Sequence, residues 1–354
     1  MSTAGAQGRV VWIDVAKALA IVLVVIYHVS GWFFTFVFTG SSHPAAAVWR
    51  ELSILLMPMR IPLFFLVAGI LAHGAVRRSW SALAATRLSD LLWPFAVWSV
   101  LIAPLWFVRL EAGGQDGLAP VIGGLLFGGT HLWFLTALAV FLVIGKITRR
   151  FPIPTLIVAA ALAYWLAGPI GAWLHTVLPA ALADNVTRWC IFLFWFLLGC
   201  FARPLLMRIA ATPWPFAVVG TAVVGIVALT GSGIPSSIRV PVLAAFGISA
   251  LIAWSSLMSR GRRTARLAGY LARRTLAIYV GHAFLLEVLA LALLALRQLI
   301  PGWDPASGVA MILFVPIVTA ALVFATTWLY DRCVPGPLAW LYQPPWRARK
   351  AVPV

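Results

Sequence analysis

Charge, and acidic charge most of all, is what this sequence has least of. Only 10% of its 354 residues are Asp, Glu, Lys or Arg, with 9 acids against 26 bases, while 63% are hydrophobic and mean hydropathy is +1.00. A soluble domain of this size could not cover its surface with so few polar groups, so that class is excluded. Cysteine is scarce too. Cys190, Cys200 and Cys333 make neither a disulfide framework nor a metal-ligand spacing. The first two share one apolar run, ~15 Å apart along a helix axis, and cannot pair. No Ser–His–Asp or Cys–His spacing announces a covalent acyl-enzyme, although sequence order alone does not exclude one. Nor does a small-residue cleavage site follow the first apolar run, whose start carries Asp14 and Lys17. That run is therefore expected to stay as a span and not to leave as a signal peptide.

What is present is a series of long apolar runs. They predict an all-α, polytopic transmembrane bundle in one domain covering 1–354, with 1–8 and 345–354 as flexible tails. Ten spans are read at 13–35, 52–74, 88–108, 132–147, 154–173, 187–202, 214–230, 238–258, 275–296 and 308–330; unclear ends leave nine or eleven open. The net charge of +17 raises nucleic acid as a partner. The basic residues instead sit in short loops between apolar runs, the pattern that sets membrane orientation. Alternate loops carry Arg77, Arg78 and Arg87; Lys146, Arg149 and Arg150; Arg203 and Arg208; and six arginines from Arg260 to Arg274. The loops between them hold few bases and several acids. An even number of spans with both termini in the cytoplasm follows.

Inside this apolar background a few ionisable groups stand out. In RVVWIDVAKALAIVLVVIYHVSGW, Lys17 and His28 are eleven positions apart, which puts them ~20° apart in azimuth with His28 roughly 16 Å further along the axis. Asp14 lies ~40° from His28 on the same stripe. Ionisable groups in a span usually face a protein interior or a wet cavity, so this helix face is the candidate reaction site. The second span carries MPMRIPLFFLVAG, with Pro58 and Pro62 flanking Arg60, and reads as a broken helix. Arg60 either reaches back to the outer headgroups or lines a cavity at the depth of His28. The Gly-rich segment before span four is a re-entrant turn or a flexible loop; it ends at His131, with Trp133 just inside. Span nine brings His282, with Tyr279 one turn below and Glu287 beyond; His282 is either a helix–helix hydrogen bond or part of the site. The run SRGRRTARLAGYLARR is chiefly a topology signal, and the tail DRCVPGPLAWLYQPPWRARK is expected along the inner interface.

WIDVAKALAIVLVVIYHV resembles the opening of bacterial acyltransferase family 3, integral-membrane O-acyltransferases, in the branch similar to fucose 4-O-acetylases and glucan-modifying acyltransferases. MRIPLFFLVAGIL, RLSDLLWPF, THLWFLTALAVF, FLFWFLLGC and LAIYVGHAFLLE follow in the family's order, weakest between 204 and 265. The resemblance implies transfer of an acyl group, usually acetyl, from cytoplasmic acyl-coenzyme A to a hydroxyl of a glycan or similar acceptor in the bacterial inner membrane. It implies acyl-CoA as co-substrate, no permanently bound cofactor, no metal, no nucleic acid, and room for an extracytoplasmic partner protein. Carried over by motif, His28 is catalytic and Lys17 its basic companion; much of the family has arginine at that first place, so lysine loses any bidentate contact. Arg60 is a second catalytic candidate, Lys17, Asp14 and His282 are candidates for the donor, and His131 and Trp133 for the acceptor. Two readings compete. A proton-coupled transporter would use Lys17, His28 and His282 as a relay, but MPMRIPLFF has no counterpart in a second half. A purely structural membrane partner would leave the deep charges unexplained.

Overall fold

The computed structural model describes residues 10–38, 44–128, 131–230, 233–300 and 309–348. Every regular element among them is helical, because a chain this apolar must satisfy its backbone polar groups internally. The first span is α1 (Val11–His28), a wide turn over Val29–Phe33 and α2 (Phe34–Val37). The rest follow as α3 (Pro44–Ala72), α4 (Trp80–Leu83), α5 (Ser89–Ala112), α6 (Leu118–Phe127), α7 (Trp133–Thr148), α8 (Ile153–Val177) and α9 (Ala180–Phe201). Then come α10 (Arg203–Ala211), α11 (Pro213–Thr230), α12 (Ser236–Met258), α13 (Arg262–Arg273), α14 (Thr275–Leu299), α15 (Val309–Cys333) and α16 (Pro345–Ala348). Among the described residues, 9 helical stretches are long and apolar enough to cross a membrane, and α7 is a shorter apolar helix of 16 residues. The protein is a polytopic helical membrane bundle.

Contacts at the two ends show that α7 also runs from one to the other. At one end Lys146 Nζ donates to the Arg78 carbonyl, Arg149 to the Arg77 carbonyl at 3.2 Å, and His73 Nδ1 meets the Cys200 carbonyl at 2.7 Å. At the other, Arg297 donates to the Val37 carbonyl at 2.5 Å and Asn185 to the Phe127 carbonyl at 2.6 Å. His131, just before α7, belongs to this second end, while Lys146 in its last turn belongs to the first. Sixteen residues rise ~24 Å, short of the ~30 Å of a hydrocarbon core. Counting α7, the described residues make ten passages, and the start of α1 and the end of α15 stand at the same, arginine-rich end. The Gly-rich segment is not wholly a loop, since it contains α6, packed on α5 and α9. Residues 345–348, expected in a flexible tail, form α16; residues 1–8 and 349–354 lie outside the described residues.

The expected break in the second span is not there: α3 is helical from Pro44 to Ala72 with both prolines inside. Pro58 and Pro62 stand four apart, so both lost hydrogen bonds fall on one face, and neighbouring helices hold the rest of the turn in place. The discontinuity is in the first span instead. Gly31, with φ −88° and ψ −111°, leaves the helical region three residues after His28.

The core is organised around α1, which packs against α3, α12, α14 and α15. A second close crossing joins α3 and α9, where a Cβ on Gly69 would collide with the Phe196 backbone and one on Gly199 with the Leu66 backbone. Small residues let membrane helices approach this closely, and dispersion across the contact holds them together. Gly199→Ala should therefore cost about 1–3 kcal/mol through overpacking. In detergent, the expected result is a lower melting temperature and less monodisperse protein. Gly168→Ala on α8, with nothing within 4 Å, serves as the unchanged control.

Candidate active site

His28 is the last residue of α1, and the wide turn begins at Val29. Such insertions in helices are frequent at functional sites, since they re-aim side chains without ending the span. Opposite stands His282, buried in the middle of α14. Its Nδ1 lies 2.8 Å from the Ile278 carbonyl, and its Nε2 lies 3.1 Å from His28 Nδ1. A carbonyl only accepts, so His282 carries its proton on Nδ1, and in the neutral ring Nε2 is the acceptor. His28 Nδ1 must then be the donor. His28 also bonds the Val24 carbonyl, and with its proton assigned to Nδ1 by these partners Nε2 is left with a lone pair.

Two further ionisable groups lie near this pair. His131 and Arg60, with His282, are the ionisable side chains whose charge is felt at His28. Arg60 is 3% exposed; it donates to the Ser53 carbonyl at 3.0 Å and reaches the Ser53 hydroxyl at 3.4 Å. Its guanidinium carbon stands 3.6 Å from the centroid of the Tyr27 ring, and its Nε has no partner among the described residues. Burial excludes the alternative of Arg60 extended into the headgroups.

At the same end as His131 lies a buried acid. Glu287 is fully enclosed and takes two hydrogen bonds from Arg109, at 2.6 and 3.1 Å, while His131 Nε2 stands 3.3 Å from its Oε1. A carboxylate buried in a membrane helix is tolerated only with such partners. The His131 ring packs edge-on to Trp106 at 5.0 Å and near Trp32 at 6.4 Å, and Arg109 lies 4.7 Å over Trp32. Trp133 does not join this group: it stacks on Phe192 and receives Arg188 over its face. Trp32 Nε1 and His131 Nδ1 are buried without a partner among the described residues.

From the arginine-rich end a cavity of about 240 Å³ runs between α1, α3, α5, α7 and α14. Lys17, Arg87 and Asp90 supply its charged wall; Leu71, Leu138 and Leu276 are typical of the apolar remainder. Tyr279 also lines it, and the Tyr279 ring is 5.9 Å from that of His282. The Tyr279 hydroxyl donates to the His131 carbonyl at 3.1 Å and accepts the Phe134 N–H at 3.3 Å, tying α14 to the start of α7. Asp14 is half-buried in the first turn of α1 and is not part of the cavity wall.

Of the residues singled out by sequence, the structure thus gathers His28, His282, Arg60 and His131, places Lys17 on the cavity, and sets Asp14 and Trp133 apart. Glu287 and Arg109 form an ion pair that the sequence reading left out. Glu287 had a signal, as the sole acid in a helix of 25 residues; Arg109 looked like any base at a helix end. Trp32 and Trp106 had none beyond composition, whereas Arg87 and Asp90 both lie in RLSDLLWPF, where Arg87 reads only as an orientation signal.

A histidine pair inside a membrane bundle, with a cavity whose wall reaches Tyr279 beside it, is the candidate site of a membrane protein. Residues 10–331 match the acyltransferase domain family that the motifs resemble, and the chain belongs to acyltransferase family 3. A curated relative, inner membrane protein YcfT of Escherichia coli K12, is 23% identical over 87% of this chain and 88% of its own length. No solved structure matches the chain.

Proposed function

We propose that this membrane acyltransferase is an O-acyltransferase of the bacterial inner membrane. It takes an acyl group, usually acetyl, from acyl-CoA at its arginine-rich end, which faces the cytoplasm. The acceptor is a hydroxyl of a glycan or similar molecule arriving from the opposite side. The observation that carries this reading is the chain of hydrogen bonds from the Ile278 carbonyl through His282 to His28, which leaves a lone pair on His28 Nε2. The excess of arginine at one end supports the orientation. A phosphate-bearing donor then stays outside hydrocarbon and sends only its slim pantetheine arm inward. At about 240 Å³ the cavity is below the ~300–1,000 Å³ typical of drug-sized ligands, which suits an arm and not a whole nucleotide.

In the reaction, His28 Nε2 accepts the acceptor's hydroxyl proton as that oxygen attacks the thioester carbonyl. The C–S bond breaks, and the proton passes from the imidazolium to the departing thiolate. His282 holds His28 in the required tautomer, and Arg60 stabilises the oxyanion of the tetrahedral intermediate through its unpartnered N–H. His131, with Trp32 and Trp106, receives the acceptor. The test uses membranes of a deletion strain carrying wild-type protein. Labelled acetyl-CoA should release free CoA and transfer label to an alkali-labile ester in the glycan fraction. Label that appears in no ester, with CoA release unchanged by the protein, overturns the reading.

A further inference from the structure

The cavity mouth poses an electrostatic problem that the proposed function makes acute. Asp90, a carboxylate, stands in its wall beside Lys17 and Arg87, where the phosphates of an acyl-CoA would come to rest. Arg87 offsets that carboxylate only in part and is itself needed for the phosphates, so the remaining negative charge would weaken the donor's attraction to the mouth. The chain's own tail meets that charge. Arg347 grips Asp90 with Nη1 at 2.7 and 2.8 Å from its two oxygens, and its Nη2 donates to the Ala85 carbonyl at 3.0 Å. The arginine is delivered by a docked strap and not by chance proximity. Trp93 Nε1 donates to the Trp340 carbonyl and Trp98 Nε1 to the Leu341 carbonyl, both at 2.7 Å. Trp346 packs edge-on to Trp93, and Tyr342 lies against Trp98.

Two turns of α5 thus present Asp90, Trp93 and Trp98 to a tail that comes back from some 250 residues away. As an ion pair alone this contact does little for stability, because both side chains are about a third exposed and exposed pairs are weak. Its placement on the cavity wall is what gives it an effect. We infer that residues 337–348 are a working part of the donor site: Arg347 cancels the charge of Asp90, so that the mouth presents the donor's phosphates with the full positive charge of Lys17 and Arg87 and not with a charge halved by the carboxylate. This rests on the reading of the cavity as the acyl-CoA site. Arg347 acts through Asp90 and is a positioning residue.

The decisive experiment is a charge cycle on the full-length protein, with steady-state acetyl-CoA kinetics in detergent at low salt. Arg347→Ala should raise the apparent KM for acetyl-CoA about 3–10-fold, with kcat unchanged. Adding Asp90→Asn should return KM to within about twofold of wild type, since removing the carboxylate removes the need for its partner. Arg347→Lys should stay near wild type, and the gap between Arg347→Ala and wild type should narrow as salt screens the mouth. An unchanged KM in a monodisperse Arg347→Ala protein overturns the inference, and so does a double variant no better than the single one. A wild-type protein that does not use acyl-CoA defeats the function proposed above instead. The two failures are distinguishable because only the second removes wild-type turnover.

Discussion

His28→Ala should leave a correctly inserted, monodisperse protein that turns over acetyl-CoA 10²–10⁴-fold more slowly at saturating donor, the usual cost of losing a general base. The donor KM should hardly move, because the cavity wall does not include His28. Two companion variants separate the roles around it. His282→Ala keeps the His28 imidazole and its Val24 carbonyl partner but removes the second group that orients the ring, so a smaller loss and a shifted pH–rate profile are expected. His131 is the rival base: its Nε2 is held by Glu287 and its Nδ1 is open, the arrangement of a carboxylate-oriented histidine. If His131 only receives the acceptor, His131→Asn should raise the acceptor KM and keep kcat within about tenfold, which is uniform binding lost and not transition-state binding. Wild-type turnover by His28→Ala, with a collapse in His131→Asn, would transfer the base role to the second end of the bundle.

Much of this arrangement was legible because the membrane makes ionisable groups conspicuous. Lys17 and His28 stand out in α1 for the same reason that they are expensive there, and their spacing along an uninterrupted helix holds in the structure. The order of apolar runs and the arginine-rich loops carried the fold, down to α7, whose short length alone would have left it in doubt. What failed was local geometry. Two prolines suggested a break that the i,i+4 spacing and the packing of α3 absorb, whereas the real departure at Gly31 follows no proline and shows only as one glycine in a run of aromatics. Pairings across the chain were not readable at all. His28 and His282 are 254 residues apart, and nothing in either motif points to the other. Trp133 sat in the motif while Trp32 and Trp106 reached His131, because the motif gives depth in the membrane but not azimuth. The tail read as interfacial because Trp, Pro and Arg suit that zone; its docking on α5 depends on two indole N–H groups that composition cannot aim.

Arg60→Lys is the variant in which the proposed chemistry meets its severest test after His28. A cation this deeply buried is ordinarily matched by an acid, yet Arg60 has none among the described residues; its contacts are the Ser53 backbone, the Ser53 hydroxyl and the Tyr27 ring. The cation–π contact and one backbone acceptor compensate part of the burial, and they hold the guanidinium over the ring of the residue that precedes His28. Lysine keeps the charge but has no plane to stack and no Nε–H to offer, so the position is filled while its aimed donor is gone. If that donor meets the oxyanion of the tetrahedral intermediate, kcat should fall about 10²–10³-fold with the donor KM little changed, the loss seen when one oxyanion donor is removed. Tyr27→Phe, which keeps the ring under the guanidinium, should stay near wild type, and Tyr27→Ala should move part of the way toward Arg60→Lys. A kcat preserved in Arg60→Lys with a raised donor KM would instead place Arg60 on an anionic part of the acyl donor. Preservation of both would leave it a purely structural cation, binding α3 to the end of α1.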